Sequence, residues 1–354
     1  MKIACISDIH CHMFKEFDKG DDITGSTRFT KIMDTLRYVH QFCKENDIGH
    51  ILMAGDLFNV RGKISTVVYN HVHDVLQDIC TDGINIIAIP GNHDQVDNSD
   101  VPQHSLYALK DIQGLTVQGE LGMVHLEKEG EPLVNVFCVP YSKNAQMIKD
   151  YVSNVSETLE EKDSILMFHL GINGSMSNGV SLNSESFNIG DLYPDKFKYL
   201  VGGHIHKRQF FGSNAFYCGS PIQHSHNDGG ESKGFFVIDT NKKCDIQFVH
   251  IPNPEFVTLT GPFSEIHRQE LEQIALDEWY VRVILQETEL QGFLAVVPSN
   301  LKYKVILQKS YKEEIRCDVK IGMSFEEIIS KYAEEYKPEA KDIGLKILSD
   351  IERG

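Results

Sequence analysis

A chain of 354 residues, 41% hydrophobic and 24% charged with only 11 prolines, has ordinary globular composition, which excludes collagen-like, mucin-like and wholly disordered classes. At about 100 to 200 residues per domain, the length accommodates one large domain and one smaller module. The formal net charge of -17 argues against a protein that coats nucleic acid through net charge, so any phosphate contact must use local basic residues, bound metal ions or a partner. The longest apolar runs, such as Ile84 to Pro90, fall short of the roughly 18 residues a membrane helix needs, and no secretory-signal pattern opens the sequence. The eight cysteines form no CxxC pair, and several fall within apolar runs and read as small core residues. The expectation is a soluble, cytoplasmic protein with no membrane contact.

In chain order, an apolar strand at Lys2 to Ser7 precedes a helix over Arg28 to Asn46, whose Phe29, Ile32, Met33, Leu36, Val39 and Cys43 recur at helical spacing. Strand His50 to Ala54, helix Thr66 to Thr81 and strand Ile84 to Ile89 repeat the alternation, with a short helix near His104 to Asp111. Strands follow at Val134 to Val139, Ile165 to Phe168, Tyr199 to Val201, Ala215 to Tyr217, Phe235 to Ile238 and Ile246 to Val249, with a helix over Asn144 to Glu161 among them. The pattern predicts a layered α/β domain with two sheets packed face to face. Ile251-Pro-Asn-Pro254 breaks regular structure and closes that domain at residue 254. A smaller α+β module is expected over 255-323, with strands at Trp279 to Leu285 and Tyr303 to Leu307. Residues 324-354 read as terminal helices. Ser324 and Glu327 form a capping box for a helix through about Tyr336, Pro338 ends it, and a last helix at Ala340 to Arg353 aligns Ile343, Ile347 and Ile351, with Leu348 beside them.

Five segments place metal-capable side chains just after apolar strands, where open α/β sheets present their ligand crevice. They are Asp8-Ile-His10, Gly55-Asp56, Gly91-Asn-His-Asp94, His169 and Gly202-Gly-His-Ile-His206. At a strand end residues i and i+2 face one side, so D-x-H and H-x-H can each offer two ligands to one ion. Carboxylate, imidazole and amide oxygen make a mixed N/O set suited to manganese, iron or zinc rather than a thiolate site. Singly each segment is weak, because a D-x-H is usually a surface turn and a buried histidine more often a hydrogen-bonded core residue. Their order gives them weight.

That order and spacing resemble the calcineurin-like metallophosphoesterase superfamily, whose motifs are D-x-H, GD, GNH-D/E, H and GH-x-H. Within it, residues 1-254 are similar to the SbcD-type DNA repair nucleases, the catalytic partners of SbcC-type coiled-coil ATPases. Ala54-Gly-Asp-Leu-Phe58, Ile89-Pro-Gly-Asn-His-Asp94, and Tyr217-Cys-Gly-Ser-Pro221 followed by Lys233-Gly-Phe235 carry that likeness, the last being the most specific. The short chain resembles compact phage recombination versions, which would place it in the host cytoplasm. The resemblance implies a two-sheet metallophosphoesterase sandwich flanked by helices, with a smaller C-terminal α+β capping module. It implies a homodimeric, manganese-dependent DNA exonuclease or endonuclease of repair or recombination, partnered with the ATPase through the terminal helices. It further implies that Asp8, His10 and His206 hold one divalent ion, that Asn92, His169 and His204 hold a second, and that Asp56 bridges both. A paired-metal site lowers the pKa of a bridging water and neutralises charge at phosphorus. His93, left unliganded, is then the general acid for the leaving 3'-oxygen.

One departure is Asn59, at a position many family nucleases fill with histidine; asparagine can donate a hydrogen bond but cannot shuttle a proton. Arg61, Lys63, Lys207 and Arg208 flank motifs in an acidic chain and read either as phosphate contacts, Arg208 foremost, or as charges that offset nearby carboxylates. His12, His71, His73, His224 and His226 match no family motif and read as solvated or helix-surface histidines. Apolar residues on helix Thr66 to Thr81 and around Leu106 are candidates for the dimer surface. Two other functions compete with a nuclease. An autonomous phosphodiesterase or phosphatase could use the same core, although GDLFNVRG differs from the GD-x-V-D-R-G of protein phosphatases. A noncatalytic scaffold is opposed by retention of all seven ligands and His93.

Overall fold

The computed structural model describes residues 1-97, 99, 103-159, 164-177, 179-242, 244-308, 319 and 322-353. Strands β1 (Lys2–Ile6), β2 (His50–Met53) and β3 (Asn85–Ala88) alternate with helices α1 (Thr27–Glu45) and α2 (Thr66–Thr81), as the periodicity predicts. A 3₁₀ turn at Ser105–Asp111 takes the place of the expected short helix and leads into β4 (Leu115–Val117). Next come β5 (Gly122–Leu126), β6 (Val134–Val139), α3 (Ala145–Thr158), β7 (Ser164–His169), and the short pair β8 (Met176–Ser177) and β9 (Val180–Ser181). Strands β10 (Tyr199–Gly203), β11 (Gln209–Phe211), β12 (Ala215–Tyr217), β13 (Gly234–Asp239) and β14 (Asp245–His250) complete the large domain. Helix α3 stops short of the expected Glu161, and residues 160 and 161 lie outside the described residues.

Two six-stranded sheets result, in the orders β14-β13-β1-β2-β3-β4 and β11-β12-β10-β7-β6-β5. Strands β1 to β4 run parallel, as do β12, β10, β7 and β6, so the motif-bearing ends within each sheet share one edge. Side-chain alternation explains the layering. Ile3, Cys5, Leu52 and Ile87 of the first sheet meet Val136, Cys138, Ile165, Met167, Val201 and Phe216 of the second in one buried cluster. Their neighbours Ala4, Ile6, Ile51, Met53 and Ile86 point the other way, onto Phe29, Leu36, Val72 and Leu76 of α1 and α2. Leu166, Phe168 and Leu200 do the same beneath Ile148 and Val152 of α3. Each such large aliphatic or aromatic side chain contributes roughly 1.5–3 kcal/mol on burial.

The helix caps match local chemistry. Ser26 accepts from the Phe29 N–H at the start of α1, and the stripe from Phe29 to Cys43 is buried. On α2, Val68, Val72, Val75, Leu76 and Ile79 are buried, as is Leu106, so the apolar residues offered for a dimer surface are covered by their own sheet. Val67 and Tyr107 are the exposed apolar residues there. The seven described cysteines are free, and all but Cys244 are buried; Cys317 lies outside the described residues.

Beyond residue 254 come β15 (Phe256–Thr260), α4 (Arg268–Leu276), β16 (Tyr280–Gln286), α5 (Leu290–Val296) and β17 (Lys302–Gln308), with strand order β15-β16-β17. Val281, Val283 and Leu285 pack against Leu271, Ile274 and Phe293 in a separate small core. Of the expected module, residues 309-318, 320 and 321 lie outside the described residues. The chain divides into two compact units, Met1–Ile306 and Leu307–Gly354. The second contains α6 (Phe325–Tyr336), opened by the Ser324–Glu327 capping box, and α7 (Lys341–Arg353). On α7, Ile343, Ile347 and Ile351 are 63%, 56% and 70% exposed. Among the described residues, no helix is long and apolar enough to cross a membrane.

Candidate metal centre

The five motifs sit just past the ends of parallel strands: Asp8 and His10 after β1, Asp56 after β2, Asn92 to Asp94 after β3, His169 at the end of β7, and His204 and His206 after β10. Tight turns aim these side chains inward. Asp8, His10, Asp56 and His204 adopt φ of 53°, 48°, 54° and 100°, conformations that L-residues avoid and that cluster at functional sites. The strain is held by ladder-like bonds from Asp8 N–H to the Gly55 carbonyl and from His10 N–H to the Asp56 carbonyl, both 3.0 Å. Gly91 has a steric reason to lack a side chain, because a Cβ there would collide with the Asp56 carboxylate and the His169 ring.

Two groups of donors converge, with Asp56 between them. In the first, the ligand atoms of Asp8, His10 and His206 lie within 4.8 Å of one another, and His10 Nε2 stands 2.9 Å from His206 Nε2. In the second, Asn92 Oδ1 is 3.2 Å from His169 Nε2 and 2.9 Å from His204 Nδ1. Asp56 Oδ2 is 3.6 Å from His10 Nε2 and 3.4 Å from His169 Nε2. The His169 tautomer decides what this means. Its Nδ1–H donates to the Ala54 carbonyl at 2.7 Å, so in the neutral ring Nε2 is a bare lone pair facing an amide oxygen and a carboxylate oxygen. Lone pairs crowded in this way repel unless a cation or a proton sits among them. The donor chemistry therefore fits a divalent ion.

The sequence model of the calcineurin-like phosphoesterase family matches residues 1–208. The chain belongs to this family. It is accordingly a hydrolase of phosphoesters, with candidate residues for a two-metal site. Among known proteins it is similar to the phosphoesterase 078R of Invertebrate iridescent virus 3, at 21% identity over 75% of this chain and 74% of that one. It is 26% identical to the DNA double-strand break repair protein Mre11 of Methanocaldococcus jannaschii, over 58% of this chain and 57% of the relative. The SbcD component of the SbcCD nuclease of Staphylococcus epidermidis is also 26% identical, over 77% and 75% of the two chains.

In this phosphoesterase the field of the donors is asymmetric. Burial disfavours charge on His169, but the Asp56 carboxylate overcomes it and pushes the ring up to about 9, so a proton there supplies positive charge. Burial, reinforced by the neighbouring imidazoles and opposed by Asp56, pushes His204 down to about 3 and takes His10 well below the usual histidine range. Asp8 is raised by burial, although His169 and His206 oppose the shift. The imidazoles therefore differ: His10 and His204 are held neutral with lone pairs open to a cation, while His169 keeps a proton that an arriving cation would displace.

His93 lies beside this pocket. Its ring is 4.8 Å from that of His10, edge to face, and its backbone N–H donates to Asp56 Oδ1 at 2.8 Å. Its Nδ1–H donates to the Asn59 carbonyl at 2.8 Å. The contact that orients His93 thus runs through the backbone of residue 59 and is indifferent to the histidine-to-asparagine departure. His10, Asp56 and His93 also offer ligand atoms within 4.8 Å of one another, so proximity alone does not separate His93 from the ligands.

The basic residues are less focused. Arg208 lies with its guanidinium 4.2 Å over the Phe248 ring and its Nε–H toward the Ser232 carbonyl at 3.4 Å. Lys207 is 3.9 Å from Glu231, and Arg61 and Lys63 are exposed.

Five further residues near the centre have roles that ligand spacing in the sequence does not reveal. His224 is not solvated: it is buried, 5.3 Å from His10 and 5.7 Å from His206 between ring centres, with Nε2–H donating to the Asp8 carbonyl at 3.2 Å. Asp94 closes the third motif, where no role falls to it by spacing; its buried carboxylate accepts from the N–H groups of Leu57, Phe58 and Gly91, binding the second and third motif loops together. Burial and the nearby Asp56 push Asp94 up to about 7. Tyr141 lies against the His204 ring at 5.9 Å. Asp228 and Lys233 complete the set. Of these last two, only Lys233 carries a signal in the sequence, its place in the Lys233-Gly-Phe235 segment.

Proposed function

We propose that this phosphoesterase is a manganese-dependent DNA nuclease and the catalytic subunit of an SbcC-type ATPase–nuclease complex in repair or recombination. The observation that carries the two-metal part is the position of Asp56 Oδ2 between the His10 and His169 nitrogens, with a separate donor group on each side. On this reading Asp8, His10 and His206 hold one ion, Asn92, His169 and His204 hold the other, and Asp56 is shared. The ions supply Lewis-acid stabilisation of phosphate charge and activation of the attacking water. The chain's own residues do the rest. The Ala54 and Asn59 carbonyls fix the tautomers of His169 and His93. His93, with Nδ1–H so committed, donates to the leaving oxygen from Nε2 in its imidazolium form, the only form in which both ring nitrogens carry protons.

DNA is favoured as substrate because relatives spanning the centre carry DNA-break repair and nuclease names. The exposed isoleucine stripe of α7 suits a helix-in-groove or coiled-coil contact with the ATPase. The phosphoesterase name of the iridescent-virus relative supports a second reading, an autonomous enzyme on smaller phosphodiesters. The test is to incubate the purified chain with labelled single- and double-stranded DNA and with bis(p-nitrophenyl) phosphate, with or without manganese and an SbcC-type ATPase. The proposal expects metal-dependent DNA cleavage that responds to the ATPase. Turnover of the small diester alone would favour the second reading.

A further inference from the structure

The Lys233-Gly-Phe235 segment is the most family-specific piece of sequence outside the ligand set, yet no ligand role falls to it. Its lysine is 5% exposed. Burying an ammonium is costly unless it is paired and its protons are all taken. Lys233 Nζ has three acceptors for its three protons: the His206 carbonyl at 2.9 Å, Asp228 Oδ1 at 3.1 Å and Glu231 Oε2 at 2.9 Å. Asp228, also 5% exposed, uses Oδ2 to accept from the His224 and Ser225 N–H groups, both at 3.1 Å. Its Oδ1 stands 3.8 Å from His206 Nδ1. His206 is therefore held at its backbone by the lysine, and its ring turns Nδ1 toward the aspartate at ion-pair distance, while its Nε2 faces the donors of the first group.

We propose that Asp228, held in place by Lys233, is a positioning residue that keeps His206 in the tautomer with Nδ1 protonated and Nε2 free to bind an ion. The inference rests on reading His206 as a metal ligand. A ligating imidazole must present an unprotonated nitrogen, and the partner of its other nitrogen decides which one that is. The same carboxylate anchors the backbone of His224, whose Nε2–H holds the carbonyl of Asp8 in its left-handed turn, so two groups near one ion depend on it.

The variant Asp228→Asn tests this. Its amide oxygen can keep the two backbone caps while its NH₂ faces the His206 ring, which favours the tautomer protonated at Nε2. Because that change strands an ammonium, the pair Asp228→Asn with Lys233→Met is made as well, and Asp228→Glu serves as the conservative rescue. Manganese is titrated calorimetrically into chelator-stripped protein, with His206→Ala as the benchmark. The inference expects His206→Ala to lose one ion, and both asparagine variants to bind that ion about 10–100-fold more weakly. It expects Asp228→Glu to recover most of the affinity, and the double variant to unfold in denaturant near the wild-type midpoint without metal. If His206→Ala loses the ion while the double variant binds as wild type does, Asp228 and Lys233 are a structural pair and the inference is overturned. If His206→Ala itself binds both ions normally, the metal reading of His206 fails, and the inference fails with it.

Discussion

His93 and Asp56 are adjacent in space, but their substitutions should separate chemistry from binding. Replacing His93 by alanine should cut phosphodiester hydrolysis by about 10² to 10⁴-fold and leave manganese affinity nearly intact, since the side chain serves proton transfer. A parallel loss of metal affinity would instead make His93 a ligand. Asp56→Ala should lose both metal and activity. The buried imidazoles make a second, metal-free prediction. His224 is pushed down to about 3, first by burial and then by the charge of His206, while an unfolded histidine titrates near 6.5. Between those values the unfolded chain binds more protons, so the group's contribution is complete above about pH 6.5 and is lost as the pH falls. Each such histidine contributes a slope of up to about 1.4 kcal/mol per pH unit. In chelator, His224→Gln should therefore show a shallower loss of stability from pH 6.5 to 4.5 than wild type, by nearly one proton, when unfolding is followed in urea. Identical slopes would contradict the buried, neutral state of His224. The motifs exposed the ligand candidates because strand-end spacing is local. Asp94, His224 and Asp228 were illegible because their roles arise where loops distant in sequence meet, and no spacing rule marks a histidine that donates to the Asp8 carbonyl.

At the scale of elements, the long periodic segments were readable and the short or interrupted ones were not. Helix Thr66–Thr81 and strands Val134–Val139 and Ala215–Tyr217 have the expected limits, because an apolar stripe or a buried run fixes them. Strands β4, β5, β8, β9, β11 and β15 and helices α4 and α5 have no counterpart among the expected elements. β5 alternates over Gly122–Leu126 with only Leu126 buried, and α4 has just three buried residues, too few to set a period. One side chain of α1 joins several of these elements. The buried guanidinium of Arg28 lies 4.7 Å from the Phe14 ring, 4.9 Å from Phe256 and 5.3 Å from Tyr280, and donates to the carbonyls of Glu16 and His224. A desolvated cation–π contact is worth about 2 kcal/mol or more, and the stranded carbonyls add to its loss. Arg28→Met should lower the unfolding free energy by about 2–4 kcal/mol in denaturant titration. A change under about 0.5 kcal/mol, as at an ordinary surface site, would show that the clamp carries no weight.

For the whole molecule, the two-sheet architecture followed from strand–helix alternation, whereas the division after Ile306 had no composition shift or proline signal to announce it. Deleting residues 339–354 removes the exposed Ile343, Ile347 and Ile351 of α7. The truncated chain should fold and keep its metal-dependent activity but cease to co-elute with an SbcC-type ATPase; unfolding, or undiminished co-elution, would place the partner contact elsewhere. The resemblance also implies a homodimer, although the apolar residues of α2 are covered by their own sheet; light scattering at micromolar concentration checks it, a dimer exceeding the 40.1 kDa of one chain and a monomer ruling it out. The functional reading depends on the paired centre around Asp56. Calorimetric titration of manganese into the chelator-stripped wild-type chain tests it most directly: the arrangement predicts saturation at two ions per chain, reduced in Asp56→Ala, whereas saturation at one ion, or a stoichiometry unchanged by Asp56→Ala, would contradict a shared bridging carboxylate.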